Sequence, residues 1–453
     1  MSRERRRVGV AAQADGGPAD VVRRAPFADN PHVGARGQRT QQRILDAALE
    51  VFGEGYDRCG IDPIAKRAGC SRAAFYQYFS SKEDVFRHLT GQVARQLDAS
   101  TEALEPLTPD EAGWLALRAW VSRHSDIYGR YEPVFHAFQA ASESDDAVAT
   151  GSARWRVRTV SRIRSRIATT TLRPRELDPV IVHLLECVTR THDVARMLRS
   201  AAAGHYAEDR VGDALADVIH RSLFGLQEGV NVHRPPPERP PALPFDPVVR
   251  DAFTERETPP EPTSAGRKTR EALMEAGRKV FVERGYHRTR VRDVVEAAGV
   301  SRGVFYRYFE SKDQLARTLA TRAMQTVSLV LAEIPAPAAN DGAPGRTALR
   351  RWLRRYNLTQ ANEAAMLRVW VDAALQDPTL RANSAPALDW GRRVMVSFLE
   401  RRGFGAADTE ALVMVALLSS FGTRERTPAE VDAAAHIIEQ GLLGLGRRCH
   451  RPS

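Results

Sequence analysis

The sequence predicts an all-α protein built from two copies of one unit, each a helix-turn-helix module followed by a longer helical domain. Three observations predict it. The segment GYDRCGIDPIAKRAGCSRAAFYQYFSSKEDVFRHL at 55–89 returns as GYHRTRVRDVVEAAGVSRGVFYRYFESKDQLARTL at 285–319, with 15 of 35 positions identical at a constant offset of 230. A repeat at that distance is a duplicated domain, not a solenoid of short units. Apolar residues recur at helical spacing, and no segment alternates as a strand does. In both copies a glycine-containing turn joins two short helical segments.

The elements follow in order. Ile44, Ala47, Ala48, Val51 and Phe52 form one apolar stripe, answered by Leu273, Ala276, Val280 and Phe281, the mark of an amphipathic helix. Gly55 and Gly285 end it. A short second helix is expected over 61–68 and 291–298. Gly69-Cys70 and Gly299-Val300 supply the turn, where glycine accepts a positive φ. Ser71 and Ser301 then stand where an N-cap is wanted and open the third helix. Ser81-Lys82 and Ser311-Lys312 start a fourth. Beyond it, amphipathic segments run over 114–125, 153–167, 179–198 and 211–226 in the first copy. In the second they run over 347–356, 363–375, 388–401, 408–420 and 428–443. The similarity continues weakly, Trp120 answering Trp352 and Asp145 answering Asp377.

Composition bounds the rest. A chain of 453 residues suggests two or three domains. With 43% hydrophobic and 27% charged residues it reads as globular. No run of 18 apolar residues predicts a membrane span, and no apolar stretch follows MSRERRR as in a secretory signal. Residues 1–38 are polar, rich in Gly, Ala and Arg, and expected to be a disordered basic arm. Residues 231–266 are dense in proline and expected to form an extended tether. A formal charge of +10 favours a polyanionic partner, although the arginine and alanine richness also fits a GC-rich genome. Cys59, Cys70, Cys187 and Cys449 form no C-x-x-C pair and have no zinc spacing, so reduced thiols in a cytoplasmic protein are expected. Neither metal nor cofactor is predicted, and the motifs of phosphate-binding loops, zinc proteases and nucleophile elbows are missing from the sequence.

The third helix carries the chemistry. Phe75 and Phe79, like Phe305 and Phe309, lie four apart and should face the core. That turns Ser71, Arg72, Ala73, Tyr76 and Gln77 outward in the first copy, and Ser301, Arg302, Gly303, Tyr306 and Arg307 in the second. Such a helix can enter a major groove, where arginine reads guanine edges and glutamine reads adenine. Tyr78, Lys82, Tyr308 and Lys312 are expected beside phosphates. The partner this implies is double-stranded DNA.

The stretches AGCSRAAFYQYFSSKEDV and AGVSRGVFYRYFESKDQL resemble the DNA-binding domain of the tetracycline-repressor (TetR) family. The resemblance implies an all-helical protein that binds operator DNA as a dimer and usually represses. It also implies a small-molecule effector, bound in the helical domain, that releases the protein from DNA. The copies depart from the family pattern just before the second helix, where Gly60 and Arg290 replace the usual Ser or Thr. Glycine there offers phosphate no side chain, whereas Arg290 can reach one. Residues 266–320 hold 13 Lys/Arg against 7 Asp/Glu, and residues 36–90 hold 9 against 7. The second copy is therefore expected to grip the DNA backbone more strongly.

The expected division is an arm at 1–38, a DNA-binding domain at 39–90, a regulatory domain at 91–229, a linker at 230–265, a second DNA-binding domain at 266–320 and a second regulatory domain at 321–447. The family's dimer helices correspond to 179–198 with 211–226 and to 408–420 with 428–443. These can pair inside one chain as a pseudo-dimer, since a tether of about 35 residues spans roughly 30–35 Å when flexible; a homodimer with four heads is the alternative. Candidate effector-pocket residues are Trp120, Tyr128, Phe135 and Phe138, and Trp352, Tyr356, Met366 and Trp370, with His124 and His136 able to orient a polar group; a lipophilic or aromatic effector is the default. A bacterial, nucleoid-associated cytoplasmic protein is expected. A ligand-independent structural DNA-binding protein and an activator are the competing readings.

Overall fold

The computed structural model describes residues 34–56, 59–199, 206–231, 264–335, 343–374, 378–402, 404–423 and 426–446. The arm expected at 1–38 lies outside them up to residue 33. The proline-rich stretch lies outside them over 232–263, as do Asp377 and Cys449. Among the described residues the regular structure is helical, with one isolated bridge between Leu107 and Ile167.

The first copy contributes α1 (Ala35–Gly53), α2 (Ile61–Arg67), α3 (Arg72–Tyr78), α4 (Lys82–Glu102), α5 (Glu111–Ser144), α6 (Asp146–Ser165), α7 (Pro174–Arg199) and α8 (Glu208–Phe224). The second contributes α9 (Ser264–Arg288), α10 (Val291–Ala298), α11 (Arg302–Tyr308), α12 (Lys312–Ala332), α13 (Ala343–Ala374), α14 (Pro378–Leu399), α15 (Ala407–Ser419) and α16 (Pro428–His436), closed by a π-helical turn, Ile437–Leu442. Helix α1 starts at Ala35, inside the stretch assigned to the arm. Arginine and glutamine there are good helix formers even without an apolar period.

Two further boundaries differ from the sequence reading. Segments 347–356 and 363–375 belong to one helix, α13. The pattern breaks between them because two polar residues are buried: Asn357 donates to the Arg426 carbonyl at 3.2 Å, and Gln360 donates to the Tyr356 hydroxyl at 2.5 Å. Segment 114–125 is likewise only part of α5. That helix is interrupted at Tyr131 (φ −115°, ψ 19°), two residues before Pro133. Proline lacks the N–H of the helical ladder and clashes with the preceding turn.

The described residues fall into two compact units. One holds the residues up to Gly91 together with Glu132–Val148; the other holds Gln92–Tyr131 and everything from Ala149 onward. The first is built around Ile44, Phe52, Ile64, Phe75, Phe79 and Phe86, all buried. In the second unit, α9 to α12 enclose an equivalent core of Leu273, Phe281, Val294, Phe305, Phe309 and Leu315, to which α13 adds Met366, Val369 and Trp370. Elsewhere in that unit α7 packs on α15 and α16, and α8 packs on α15 and the π-helical turn. These four helices share one apolar core, with Val188, Leu215, Leu412 and Ile438 at its centre.

Candidate nucleic-acid interface

The two third helices are built alike. Gly69 (φ 64°) and Gly299 (φ 65°) make the left-handed step that ends the second helix, a conformation that costs a side chain with a Cβ. Ser71 Oγ accepts from the Ala74 N–H at 3.1 Å, and Ser301 Oγ accepts from the Val304 N–H at 3.4 Å, so both caps form as expected. Phe75 and Phe79, and Phe305 and Phe309, are buried and pack ring to ring at 6.0 and 5.7 Å. Position by position the two helices show the same burial. Ser71, Arg72, Ala73, Tyr76 and Gln77 are exposed in the first, and Ser301, Arg302, Gly303, Tyr306 and Arg307 in the second. Tyr76 and Tyr306 keep 38% and 56% of their surface in solvent, large apolar exposures that suit contact with sugar and base edges.

Four neighbours are placed less freely than the sequence suggests. Tyr78 and Tyr308 are half-buried. The Lys82 ammonium donates to the Tyr56 carbonyl at 3.1 Å and stands 4.3 Å from that ring's centre; Lys312 does the same to Tyr286 at 3.0 and 4.1 Å. Each lysine thus clips the start of its fourth helix to the end of its first, through a carbonyl and a ring face, and keeps further N–H donors for a phosphate. Burial lowers the Lys312 ammonium pKa.

The heads part company in electrostatics. Arg72 is held by Asp62, both carboxylate oxygens lying 3.0 Å from Nη1, and Nη2 reaches the Tyr76 hydroxyl at 3.4 Å. That hydroxyl and the Asp62 charge raise the Arg72 pKa. In the second head Arg292 stands where Asp62 does, and among the described residues Arg302 has no acidic partner. Arg307 replaces Gln77, and Arg290 replaces Gly60. At these positions and at Arg72/Arg302, the second head carries four arginines where the first carries one arginine and one aspartate. Arg67 of the first head spends its guanidinium on Glu50 and Glu54, at 3.0 and 3.1 Å; Ala297 and Lys279 occupy the matching places of Arg67 and Glu50. Arg290 donates its backbone N–H to Asp293 at 2.9 Å. That bond, with Arg284 and Arg292 alongside, holds the Asp293 carboxyl below the usual carboxylate range.

The eight candidate pocket residues do not converge. Trp120 lines a small cavity of about 20 Å³, walled by apolar side chains such as Leu107, Ile163 and Ile181, enough for one water-sized guest. Tyr128 is buried nearby in sequence and donates to Asp193; burial and that carboxylate raise its pKa. Phe135 and Phe138 belong to the other compact unit. Trp352 and Tyr356 are stacked core rings, the Trp352 indole donating to the Val330 carbonyl at 2.7 Å. Met366 and Trp370 are core of the second head. In this structure the last four pack within apolar cores. His136 is exposed beside Glu132 at 3.7 Å.

Trp120, His124 and Tyr128 of α5 join His192 of α7, which the sequence did not point to, in one file of rings. Trp120 meets His124 (5.8 Å), His124 stacks on His192 (6.3 Å), and His192 stacks on Tyr128 (5.6 Å). His124 Nε2 lies 3.1 Å from Thr189 Oγ1, while His192 Nε2 is buried without a hydrogen-bond partner. Burial and the neighbouring His192 push the His124 imidazole down to about 3; burial and Arg199 push His192 down to about 4. Both are neutral at physiological pH. Only Trp120 and the i, i+4 spacings of Trp120, His124 and Tyr128 signalled this file in the sequence.

Comparison with known proteins agrees with the heads. Residues 44–89 and 273–319 both match the family described as "Bacterial regulatory proteins, tetR family". The "HTH-type transcriptional repressor Rv1474c" of Mycobacterium tuberculosis is 28% identical over 181 residues, 38% of this chain and 92% of that protein. The "HTH-type transcriptional regulator SrpR" of Pseudomonas putida is 36% identical over 87 residues, covering 18% of this chain and only 38% of its own length. A solved transcriptional regulator of Aquifex aeolicus VF5 aligns at 19% identity over 37% of this chain and 95% of its own, with a TM-score of 0.30. No described helix is long and apolar enough to cross a membrane. With the same domain matched twice, and both copies folded as helix-turn-helix heads, the chain carries a tandem pair of DNA-binding domains of the kind described as bacterial regulatory proteins of the tetR family, which supports a DNA-binding regulator.

Proposed function

We propose that the protein is a ligand-responsive repressor whose two halves pair within one chain, so that two unlike heads meet an asymmetric operator. The observation that carries this reading is the packing of α7 and α8 on α15, α16 and the π-helical turn. The surface a lone family unit offers to a second subunit is here covered by the other half of the same chain. The heads at 39–90 and 266–320 then stand for the two subunits of an ordinary dimer, and 91–229 and 321–447 for their regulatory domains. Arg72, Tyr76 and Gln77 read one half-site; Arg302, Tyr306 and Arg307 read the other. Gln77 favours adenine and Arg307 favours guanine, so the half-sites differ. Repression is supported by the Mycobacterium tuberculosis relative, an HTH-type transcriptional repressor. Action on the nucleoid, in the cytoplasm, follows from the same reading. Light scattering should give the mass of one chain, and binding-site selection should return unlike half-sites. A two-chain mass or a perfect palindrome would refute it.

The effector binds the first half. The ring file Trp120–His124–His192–Tyr128 and the unpartnered His192 Nε2 support this. A buried imidazole nitrogen without a partner is costly, and a ligand hydroxyl or amide supplies what it lacks while an apolar body enlarges the cavity at Trp120. Thermal-shift screening of the full chain against lipophilic metabolite fractions should find stabilisers whose effect His192→Phe abolishes; stabilisation that persists in that variant would remove His192 from the site.

A further inference from the structure

The two pairing surfaces are related in sequence but are not interchangeable. Residues 218–226, VIHRSLFGL, align with residues 437–445, IIEQGLLGL, and 180–185, VIVHLL, align with 413–418, VMVALL. In this register Arg221 corresponds to Gln440, Ser222 to Gly441, and Leu177 to Glu410.

Arg221 of α8 has no solvent exposure, and its three nitrogens are all engaged. Nε donates to the Gly441 carbonyl at 2.6 Å, Nη1 to the Asn231 carbonyl at 2.5 Å and Nη2 to Glu410 Oε2 at 2.5 Å. Glu410 is equally buried. It accepts from Arg402 at 2.8 Å and from the Ala406 N–H at 3.1 Å. On the first-half side Asp217 stands 3.9 Å from Arg221 and accepts from the Trp114 indole at 2.7 Å. Burial alone would raise the Glu410 carboxyl, but the guanidiniums of Arg221 and Arg402 hold it below the usual carboxylate range. Beside this cluster the backbones come very close. A Cβ built on Gly441 would lie 2.2 Å from Ser222 Oγ and 2.9 Å from the Val218 carbonyl oxygen, so only glycine fits opposite Ser222.

A self-pairing surface must satisfy itself under a two-fold axis. Two first halves would set a buried Arg221 against Leu177 and Ser222 against Ser222. Two second halves would set Glu410 against Gln440 and leave a gap between glycines. Both mispairings lose the direct cross-half ion pair, leaving buried Arg221 with only Asp217 at 3.9 Å and buried Glu410 with only Arg402, which is unfavourable.

We infer that Arg221–Glu410 and Ser222–Gly441 form a pairing lock, through which each half of the chain accepts the other half and rejects a second copy of itself. This rests on the single-chain pairing proposed above and adds that the pairing is specific by exclusion. It makes the tandem protein a closed unit that cannot mix with copies of its own halves.

The test uses the full chain carrying R221Q, E410L or both, each substitution installing the other half's residue. Each single variant should lower the folding equilibrium constant by about a hundredfold or more in urea titrations, because one buried charge loses its partner. The double variant should be less impaired than the sum of the singles, with a residual defect because Arg402 and Asp217 also lose a buried partner. Independent of that cycle, G441S should disrupt folding, and S222G/G441S should recover the part of the loss due to Ser222 Oγ, while the Val218 carbonyl at 2.9 Å keeps a residual defect. If both double variants show the summed defects of their singles, the lock is refuted while a one-chain mass in light scattering leaves the pairing intact. A wild-type mass of two chains refutes the pairing and the lock together. Strong coupling in both cycles with a one-chain mass is the expected result.

Discussion

The two heads share one fold and differ in the charge they expose around the third helix. Both cap the third helix with serine, bury the same pair of phenylalanines and clip the fourth helix with a lysine over a tyrosine. In the first head the reading arginine is neutralised by Asp62, and Arg67 is tied to two glutamates. In the second, arginines stand at 290, 292, 302 and 307, and among the described residues only the Arg292 guanidinium pairs with an acid, Asp293 at 3.4 Å. Duplication thus preserved what the fold requires and released what faces the ligand. Surface ion pairs contribute about 0–1 kcal/mol to stability, so the fold tolerates exchanging Asp62 for Arg292. For a polyanion the same exchange alters the local charge by two. We propose that the second head supplies more of the affinity and the first more of the discrimination.

The sharpest way to break the comparison is to give the second head the first head's surface. The variant R290G/R292D/R307Q removes up to three phosphate or base contacts. Each phosphate contact adds about 0.9 to the slope of log K against log salt. Affinity for the full operator near 0.15 M salt should fall roughly a hundredfold or more, and the salt slope should flatten by about 2. The converse variant, G60R/D62R/Q77R, should steepen it. Equal slopes for wild type and the first variant would mean that these arginines do not face DNA. A smaller effect is expected from single alanines: Arg302→Ala should weaken operator binding by about 10–100-fold and relax one base position. Arg72→Ala should cost less, because that guanidinium must share itself with Asp62. Equal losses in a gel-shift titration would erase the distinction between the heads.

The heads were legible in the sequence because local rules dictate them. A serine cap, a left-handed glycine and phenylalanines four apart each leave a mark on neighbouring letters, and the repeat printed every mark twice. The Asp62–Arg72 pair was less legible: it joins two helices across a turn, and only the folded turn brings the tenth residue back. A pocket is less legible for a different physical reason. Trp352, Tyr356, Met366 and Trp370 have the spacing of any buried helix face, and spacing cannot distinguish a wall that meets a ligand from one that meets another helix. His192 and Glu410 were missed because their significance lies in long-range burial. Nothing within a few residues of Glu410 shows that Arg221 will be beside it. The continuous α13 was missed because Asn357 and Gln360 look like a loop until they are seen to be satisfied inside the core.

The smallest expected effect tests the comparison most finely. Asp62→Ala removes a negative charge from the DNA-facing side of the first head and frees Arg72 from its bidentate partner. Stability should change by less than about 1 kcal/mol, since both side chains are largely exposed, 68% for Asp62 and 58% for Arg72. DNA binding should change in two opposing ways. Affinity for unrelated duplexes should rise about three- to tenfold with a steeper salt slope, because a repulsive charge is gone and a cation is released. Affinity for the selected operator should rise less, because an arginine no longer held by Asp62 and Tyr76 must be ordered on binding. The ratio of specific to non-specific binding should therefore fall. Competition titrations of wild type and D62A against operator and random duplex would measure that ratio. If it rises, Asp62 is a simple repulsive fault in the first head, and the assignment of discrimination to that head is lost.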